Sequence, residues 1–169
     1  PGVGKTELGK ILSKIYLEIG ILDNDKIHIV KRSDLIGGYL GQTAIKTQEA
    51  IDAALGGVLF IDEAYSLGDR NNKDSYSKEC IDTINRNLTE NGNKFVCIIA
   101  GYEKDLQECF FSVNSGLERR FNFKYTIDSY TDEEIKDIFC LKMQNQEWDI
   151  RVDDKELSKF FENNKLPFF

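Results

Sequence analysis

The sequence predicts an α/β fold. A parallel sheet flanked by helices occupies residues 1–128, and the start of a helical lid-like appendage follows over 129–169. Three observations predict it. Val58-Leu59-Phe60-Ile61 and Phe95-Val96-Cys97-Ile98-Ile99 are short continuous apolar runs, the character of strands buried on both faces. Segments of helical periodicity alternate with them, which implies βαβ crossovers and parallel pairing. From about Ser129 onward only helical patterns remain.

The first helix is expected over residues 5–19, where Leu8, Ile11, Leu12, Ile15 and Ile19 recur at helical spacing and Gly20 closes the run. Ile27-His28-Ile29-Val30 reads as a short strand. The stretch DLIGGYLGQT (34–43) is a glycine-rich loop carrying Tyr39, and Thr43 is placed to cap a helix through Leu55, ended by Gly56-Gly57. After the strand at 58–61, a helix over 77–90 sets Ile81, Ile84 and Leu88 on one side. Asn91-Gly92-Asn93 then turns the chain into the strand at 95–99. A further strand is expected at Phe123-Lys124-Tyr125-Thr126-Ile127. In the appendage, TDEEIKDIFCLKMQ (131–144) and DDKELSKFFENN (153–164) read as helices, and Thr131 with Glu134 forms a capping box.

Composition narrows the function classes. At 169 residues, 41% hydrophobic and 30% charged, the chain has the make-up of one soluble globular domain with a core. No apolar run approaches the ~20 residues of a membrane span, so no membrane partner is expected. The net charge of −7 disfavours phosphate backbones, and no nucleic-acid partner is expected. Residues 128–165 carry 11 acidic and 6 basic side chains, which reads as a solvated helical face. Cys80, Cys97, Cys109 and Cys140 lack a CxxC spacing and read as buried thiols in a reducing compartment, the cytoplasm or an organelle interior. His28, the single histidine, lies between isoleucines and reads as structural. Asn87-Leu88-Thr89 matches a glycosylation sequon but falls on an expected helix, where the match is fortuitous.

Three motifs carry chemistry. PGVGKT (1–6) supplies Gly4, Lys5 and Thr6 at the closing positions of G-x-x-x-x-G-K-[ST]. In such a turn successive N–H groups and a helix N-terminus make an anion site; Lys5 would reach the terminal phosphates and Thr6 would place its hydroxyl on Mg²⁺. The motif's first glycine would sit one residue before Pro1. The loop is therefore expected to be cut rather than broken, with the preceding first strand missing, both ends truncated and a sheet edge exposed. The second motif is VLFIDE (58–63), a buried strand ending in two carboxylates. Asp62 is placed to hold Mg²⁺ through water, and Glu63, pointing elsewhere, to polarise an attacking water. The third is GLERRF (116–121). Its two arginines read either as a surface pair bound to acidic neighbours or as groups reaching a nucleotide in an adjacent subunit.

Taken in order, PGVGKT, FIDEAYSL, IIAGY and GLERRF resemble an AAA+ ATPase. The specific stretches RSDLIGGYLGQTAIKT (32–47), GGVLFIDEAYSL (56–67) and IIAGYEKDL (98–106) are similar to the CbxX/CfqX family, the group of red-type Rubisco activases and stage V sporulation protein K. The similarity runs from Pro1 to about Tyr130. It implies a P-loop NTPase fold of the AAA+ type with ATP and Mg²⁺ as ligands. The nucleotide-binding residues would be Pro1, Gly2, Val3, Gly4, Lys5, Thr6 and Glu7, with Tyr102 at the sensor position, and Thr6 and Asp62 on the metal. Glu63 would be the catalytic carboxylate. Arg120 would be an arginine finger acting across a ring interface, with Arg119 as the fallback. Gly38, Tyr39 and Leu40 would form an aromatic pore loop that grips a polypeptide; the alternative is a core tyrosine in a tight turn. The polar stretch GDRNNKDS (68–75) is either a second pore loop or a solvated connection.

The resemblance further implies a homo-oligomer, a hexameric ring, that remodels a protein client. Two other readings stay open at this stage: a nucleotide-gated scaffold with little turnover, and a DNA-associated loader. Two departures stand out. Many AAA+ proteins place a polar sensor, often Asn, where this chain has Tyr102, and nothing after Leu166 supplies the second sensor arginine of a lid helix.

Overall fold

A computed structural model describes residues 4–39, 41–70 and 73–163 and places three parallel strands in the order β1 (Ile27–Val30), β2 (Val58–Ile61), β3 (Val96–Ile99). The register pairs Val30 with Ile61 and Ile61 with Ile99, so the three strands leave the sheet at one edge. All four residues of β2 are at most 1% exposed. Alternation divides them between two apolar layers. Leu59 and Ile61 join the larger core with Val30, Leu35, Ile51, Cys80, Ile81 and Ile84, while Val58 and Phe60 join the smaller one with Leu22 and Ala100. A central parallel strand buried on both faces is what the VLFI run predicts.

The expected full burial of the run at 95–99 is corrected. Every residue of β3 is half-buried, because β3 is an outer strand of the described sheet. The strand expected at 123–127 is not present. A ladder needs a hydrogen-bonded neighbour, and this segment has none among the described residues; Phe123 and Tyr125 stand 80% and 66% exposed.

Helix α1 (Lys5–Glu18) packs against β1 and β2 with only part of its apolar stripe, since Leu8 and Leu12 are half-buried. Its buried residues are Gly9 and Ser13, while Ile11, Ile15 and nearby Ile19 are 43–62% exposed. Gly9 lies so close to Phe60 that an added Cβ would come within 2.8 Å of the ring. Ser13 Oγ donates to the Asp25 carbonyl at 2.8 Å. Helix α2 (Arg32–Leu35), a single turn that the sequence pattern gave no sign of, leads into the glycine-rich loop.

Helix α3 (Gln42–Ala53) starts at Gly41, not at Thr43. Thr43 is buried inside the first turn, and its Oγ1 accepts from Gly37 N at 3.1 Å. Helix α4 (Ser75–Glu90) is capped by Asp74, whose Oδ1 accepts from Tyr76 N and Ser77 N. The helices α3 and α4 pack on each other, joined by reciprocal amide bonds between Gln48 and Asn87. Asn87 is 2% exposed, so the sequon there is inaccessible.

The remaining elements are short turns and the appendage. Past β3 come α5 (Glu103–Asp105), a π turn (Leu106–Phe110) and a 3-10 turn (Phe111–Val113). Lys5–Lys124 form one compact unit; among the described residues, Gly4 and residues 125–163 belong to a second. In the latter, α6 (Asp132–Asn145) begins at the predicted capping box, with Thr131 N donating to Glu134 Oε2 at 2.8 Å and Glu134 N to Thr131 Oγ1 at 3.2 Å. It packs on α7 (Asp154–Asn163), and the Lys136 ammonium donates to Asp154 and Ser158.

All four cysteines are free. Cys80 is buried, whereas Cys97, Cys109 and Cys140 are half-buried, so the expectation of four buried thiols holds for one. His28 is half-buried on β1. Among the described residues no helix is long and apolar enough to cross a membrane.

Candidate active site

The carboxyl ends of parallel strands are where α/β sheets bind ligands, since loops and helix N-termini converge there. Here that edge carries Asp62 after β2 and Gly101-Tyr102 after β3. The first residue of α1 reaches the same edge: the Lys5 ammonium sits 5.4 Å from the centroid of the Tyr102 ring. Gly4, just before it, has φ +78°, a left-handed turn that glycine adopts at no steric cost. Thr6 lies in the first turn of α1, where free N–H groups favour anions. Glu7 points outward and pairs with Lys10 at 2.7 Å. Pro1, Gly2 and Val3 lie outside the described residues.

Asp62 continues the ladder, its N–H donating to the Val30 carbonyl at 3.0 Å, and its Oδ1 accepts from Glu63 N at 3.1 Å. Glu63 then breaks the strand direction with φ 51° and ψ 45°. A non-glycine residue in this region costs of order 1–2 kcal/mol and invites a functional reading. The turn is held on both sides. Ala64 N donates to the Ala100 carbonyl at 3.0 Å, and Ser66 N to the Glu63 carbonyl at 2.8 Å. Asp62 is half-buried and Glu63 exposed.

Tyr65, in the 3-10 turn Ala64–Leu67, was not singled out from the sequence. Its ring lies 6.2 Å from that of Tyr102. Burial first, then the neighbouring Glu63 charge, push the phenol above its ordinary value.

The donor set fits Mg·ATP. Mg²⁺ favours one or two protein oxygens, with waters and substrate phosphates completing its shell, and Thr6 and Asp62 offer a hydroxyl and a carboxylate. Among the described residues no three His, Cys, Asp or Glu side chains converge into a self-sufficient metal cage.

The Tyr39 loop lies elsewhere and has a fastened root and a free tip. At the root, Thr43 accepts from Gly37 N, Thr47 Oγ1 donates to the Leu35 carbonyl at 2.9 Å, and the Lys46 ammonium bonds the carbonyls of Ser33 and Ile36. Arg32 spans from α2 to the turn after β2, donating to the Ser66 carbonyl (2.6 Å), Ser77 Oγ (3.0 Å) and Asp74 Oδ2 (2.7 Å). The tip residue Tyr39 is 74% exposed, which excludes the core-tyrosine alternative. Gly38 beside it has open space around it, and Leu40 lies outside the described residues. In the polar stretch 68–75, Arg70 pairs with Asp105 and Glu108, and Asp74 is the α4 cap; Asn71 and Asn72 are outside the described residues.

The two arginines differ. Arg120 is engaged within its own chain: Nε and Nη2 donate to Thr89 Oγ1 at 3.0 and 2.8 Å, and Nη1 to the Gly116 carbonyl at 2.6 Å. Arg119 is exposed and has no hydrogen-bond or ion-pair partner among the described residues.

Comparisons with known proteins show the family of the chain. The profile of the ATPase family associated with various cellular activities (AAA) matches residues 1–128. A cfxQ-like protein of Acanthamoeba polyphaga mimivirus is 51% identical over 172 residues, covering 100% of this chain and 42% of the relative. Stage V sporulation protein K of Bacillus subtilis is 35% identical over 150 residues, 89% of this chain and 46% of the relative. The ESX-3 secretion system protein EccA3 of Mycobacterium tuberculosis is 41% identical over 138 residues, 82% of this chain and 22% of the relative. The chain thus spans less than half the length of these relatives.

Proposed function

Because the chain belongs to the AAA family of ATPases, we propose that it binds Mg·ATP at the carboxyl edge of its sheet, hydrolyses it between subunits of a hexameric ring, and uses the cycle to remodel a protein client. The observation that carries this reading is the convergence of Lys5, Tyr102 and the turn bearing Glu63 at one edge. Lys5 neutralises the terminal phosphates, and the α1 N-terminus adds N–H donors. Thr6 and Asp62 would hold Mg²⁺, whose charge would be set against that of the phosphate oxygens. Glu63, turned away from Asp62 by its left-handed backbone, orients and polarises the attacking water. Tyr39, on a loop with a rigid root, is suited to grip a polypeptide in the ring's channel.

In trans, the free guanidinium of Arg119 suits the finger role better than Arg120. Arg120 is spent on Thr89 and Gly116 and anchors the loop that presents its neighbour. Mixing two inactive full-length variants, Arg119→Ala and Glu63→Gln, tests the shared site. Mixed rings contain interfaces with Glu63 from one subunit and Arg119 from the next, so activity should return. No recovery at any mixing ratio would overturn the interfacial role of Arg119.

A further inference from the structure

We propose that Arg32 is a positioning residue for Glu63: by holding the Ser66 carbonyl, its guanidinium fixes the turn that carries the carboxylate. This rests on the reading of Glu63 as the water-polarising group. The turn has a particular need of support. Glu63 stands in the left-handed region, and a non-glycine residue stays there only where its surroundings over-determine the backbone. The 3-10 turn Ala64–Leu67 follows at once, and Ser66 N closes it on the Glu63 carbonyl at 2.8 Å. The last carbonyls of such a turn lack a partner within it. Arg32 Nη1 supplies one to Ser66 from 34 positions upstream, at 2.6 Å. Ser66 is therefore held at both ends: its N–H reaches back to Glu63, and its carbonyl is gripped by a charge-assisted bond, the stronger kind. Before the turn, Ala64 N is tied to the Ala100 carbonyl.

The guanidinium is itself placed by a second element. Nη2 pairs with Asp74 Oδ2 at 2.7 Å. Nη1 also donates to Ser77 Oγ at 3.0 Å, and that hydroxyl donates to the same Asp74 oxygen at 2.7 Å. Asp74 caps α4 and Ser77 lies in its first turn, while Cys80, Ile81 and Ile84 of the same helix lie in the core. A planar fork can meet three acceptors in one fixed geometry; an ammonium on a flexible stem cannot. Arg32 thus braces the Glu63 backbone against α4. Among the described residues its hydrogen-bond partners are these three, and none is at the Lys5 end of the site. Its influence should therefore fall on the chemical step and not on ATP binding.

In the full-length protein, Arg32→Lys keeps a charge beside Asp74 and loses the fork. Turnover at saturating ATP should fall about tenfold, equivalent to about 1.4 kcal/mol of barrier. KM and the affinity for a fluorescent ATP analogue should each stay at the wild-type value. Gln48→Ala removes the amide pair between α3 and α4, lowering stability without touching the turn, and should keep the wild-type rate. The decisive arm is the double variant. A residue that acts only through Glu63 has nothing left to position in Glu63→Gln, so Arg32→Lys should leave the residual turnover of that variant unchanged. The same tenfold loss in both backgrounds would overturn the proposal. So would an unchanged kcat in Arg32→Lys, or a loss of kcat in Gln48→Ala that follows its loss of stability. Full turnover in Glu63→Gln removes the reading of Glu63, and the proposal falls with it. Loss in Glu63→Gln with full turnover in Arg32→Lys leaves that reading standing and overturns the role of Arg32 alone.

Discussion

The sheet's carboxyl edge and the Tyr39 loop both expose a side chain proposed to work, Glu63 and Tyr39, yet they are held in opposite ways. At the edge, Glu63 is placed by its own covalent path: a fully buried strand, then one left-handed residue. At the loop, Tyr39 owes its position to other elements, through the hydroxyls of Thr43 and Thr47, the ammonium of Lys46 and the guanidinium of Arg32. The difference teaches where each site is vulnerable. Changes at the edge should alter chemistry with little effect on folding. Changes at the loop's root should alter stability, and changes at its tip should alter only the work done on a client. Arg32 touches both regions, since it bonds Ser66 three residues after Glu63.

The largest expected effect is at the edge. Glu63→Gln should lower ATP turnover by about 10²–10⁴-fold while ATP still binds. Comparable turnover with and without the carboxylate would erase the contrast. Next comes the shared anchor. Asp74→Ala removes the α4 cap and the Arg32 partner and should lower stability by about 2–3 kcal/mol in denaturant titration. Asp74 also carries a pH signature. Its carboxyl is held down to about 2, mainly by the Ser77 hydroxyl and then by Arg32, against an ordinary value of 3.8. A depressed folded value means the stabilisation, of order 2 kcal/mol, is complete above about pH 4 and is lost as pH falls toward 2. The stability difference between wild type and Asp74→Asn should vanish over that window; a constant difference would show that Asp74 is not held as described. The smallest effect on the fold is at the tip. Tyr39→Ala should leave the melting temperature and basal turnover unchanged and impair client remodelling, because a side chain 74% exposed contributes little packing. A clear drop in stability would move Tyr39 into the root.

Much of this was legible in the sequence where local pattern and burial agree. Val58–Ile61 reads as a doubly buried strand and is one, and Thr131 with Glu134 reads as a capping box and forms one. What was not legible depends on partners far along the chain. The stripe of Ile11, Ile15 and Ile19 marks a helix correctly but not its inner face, because close approach to Phe60 selects the small side of α1. FKYTI has strand composition without a hydrogen-bonded neighbour. Thr43 has cap chemistry, yet it spends its hydroxyl on Gly37 while Gly41 starts the helix. At the site, the carboxylates and Lys5 were legible because phosphate chemistry needs those residue types in that order. Arg32 was not, because a supporting residue is recognised only by what it touches. The contrast between Arg119 and Arg120 is of the same kind, decided by Thr89, some thirty positions upstream.

The most direct test of the central claim is ATP turnover per subunit by the full-length protein, wild type beside Glu63→Gln, across protein concentration. An edge completed by a neighbouring subunit predicts specific activity that rises with concentration as rings assemble and is absent in Glu63→Gln at every concentration. Specific activity that is flat with concentration, or equal in the two proteins, would contradict it.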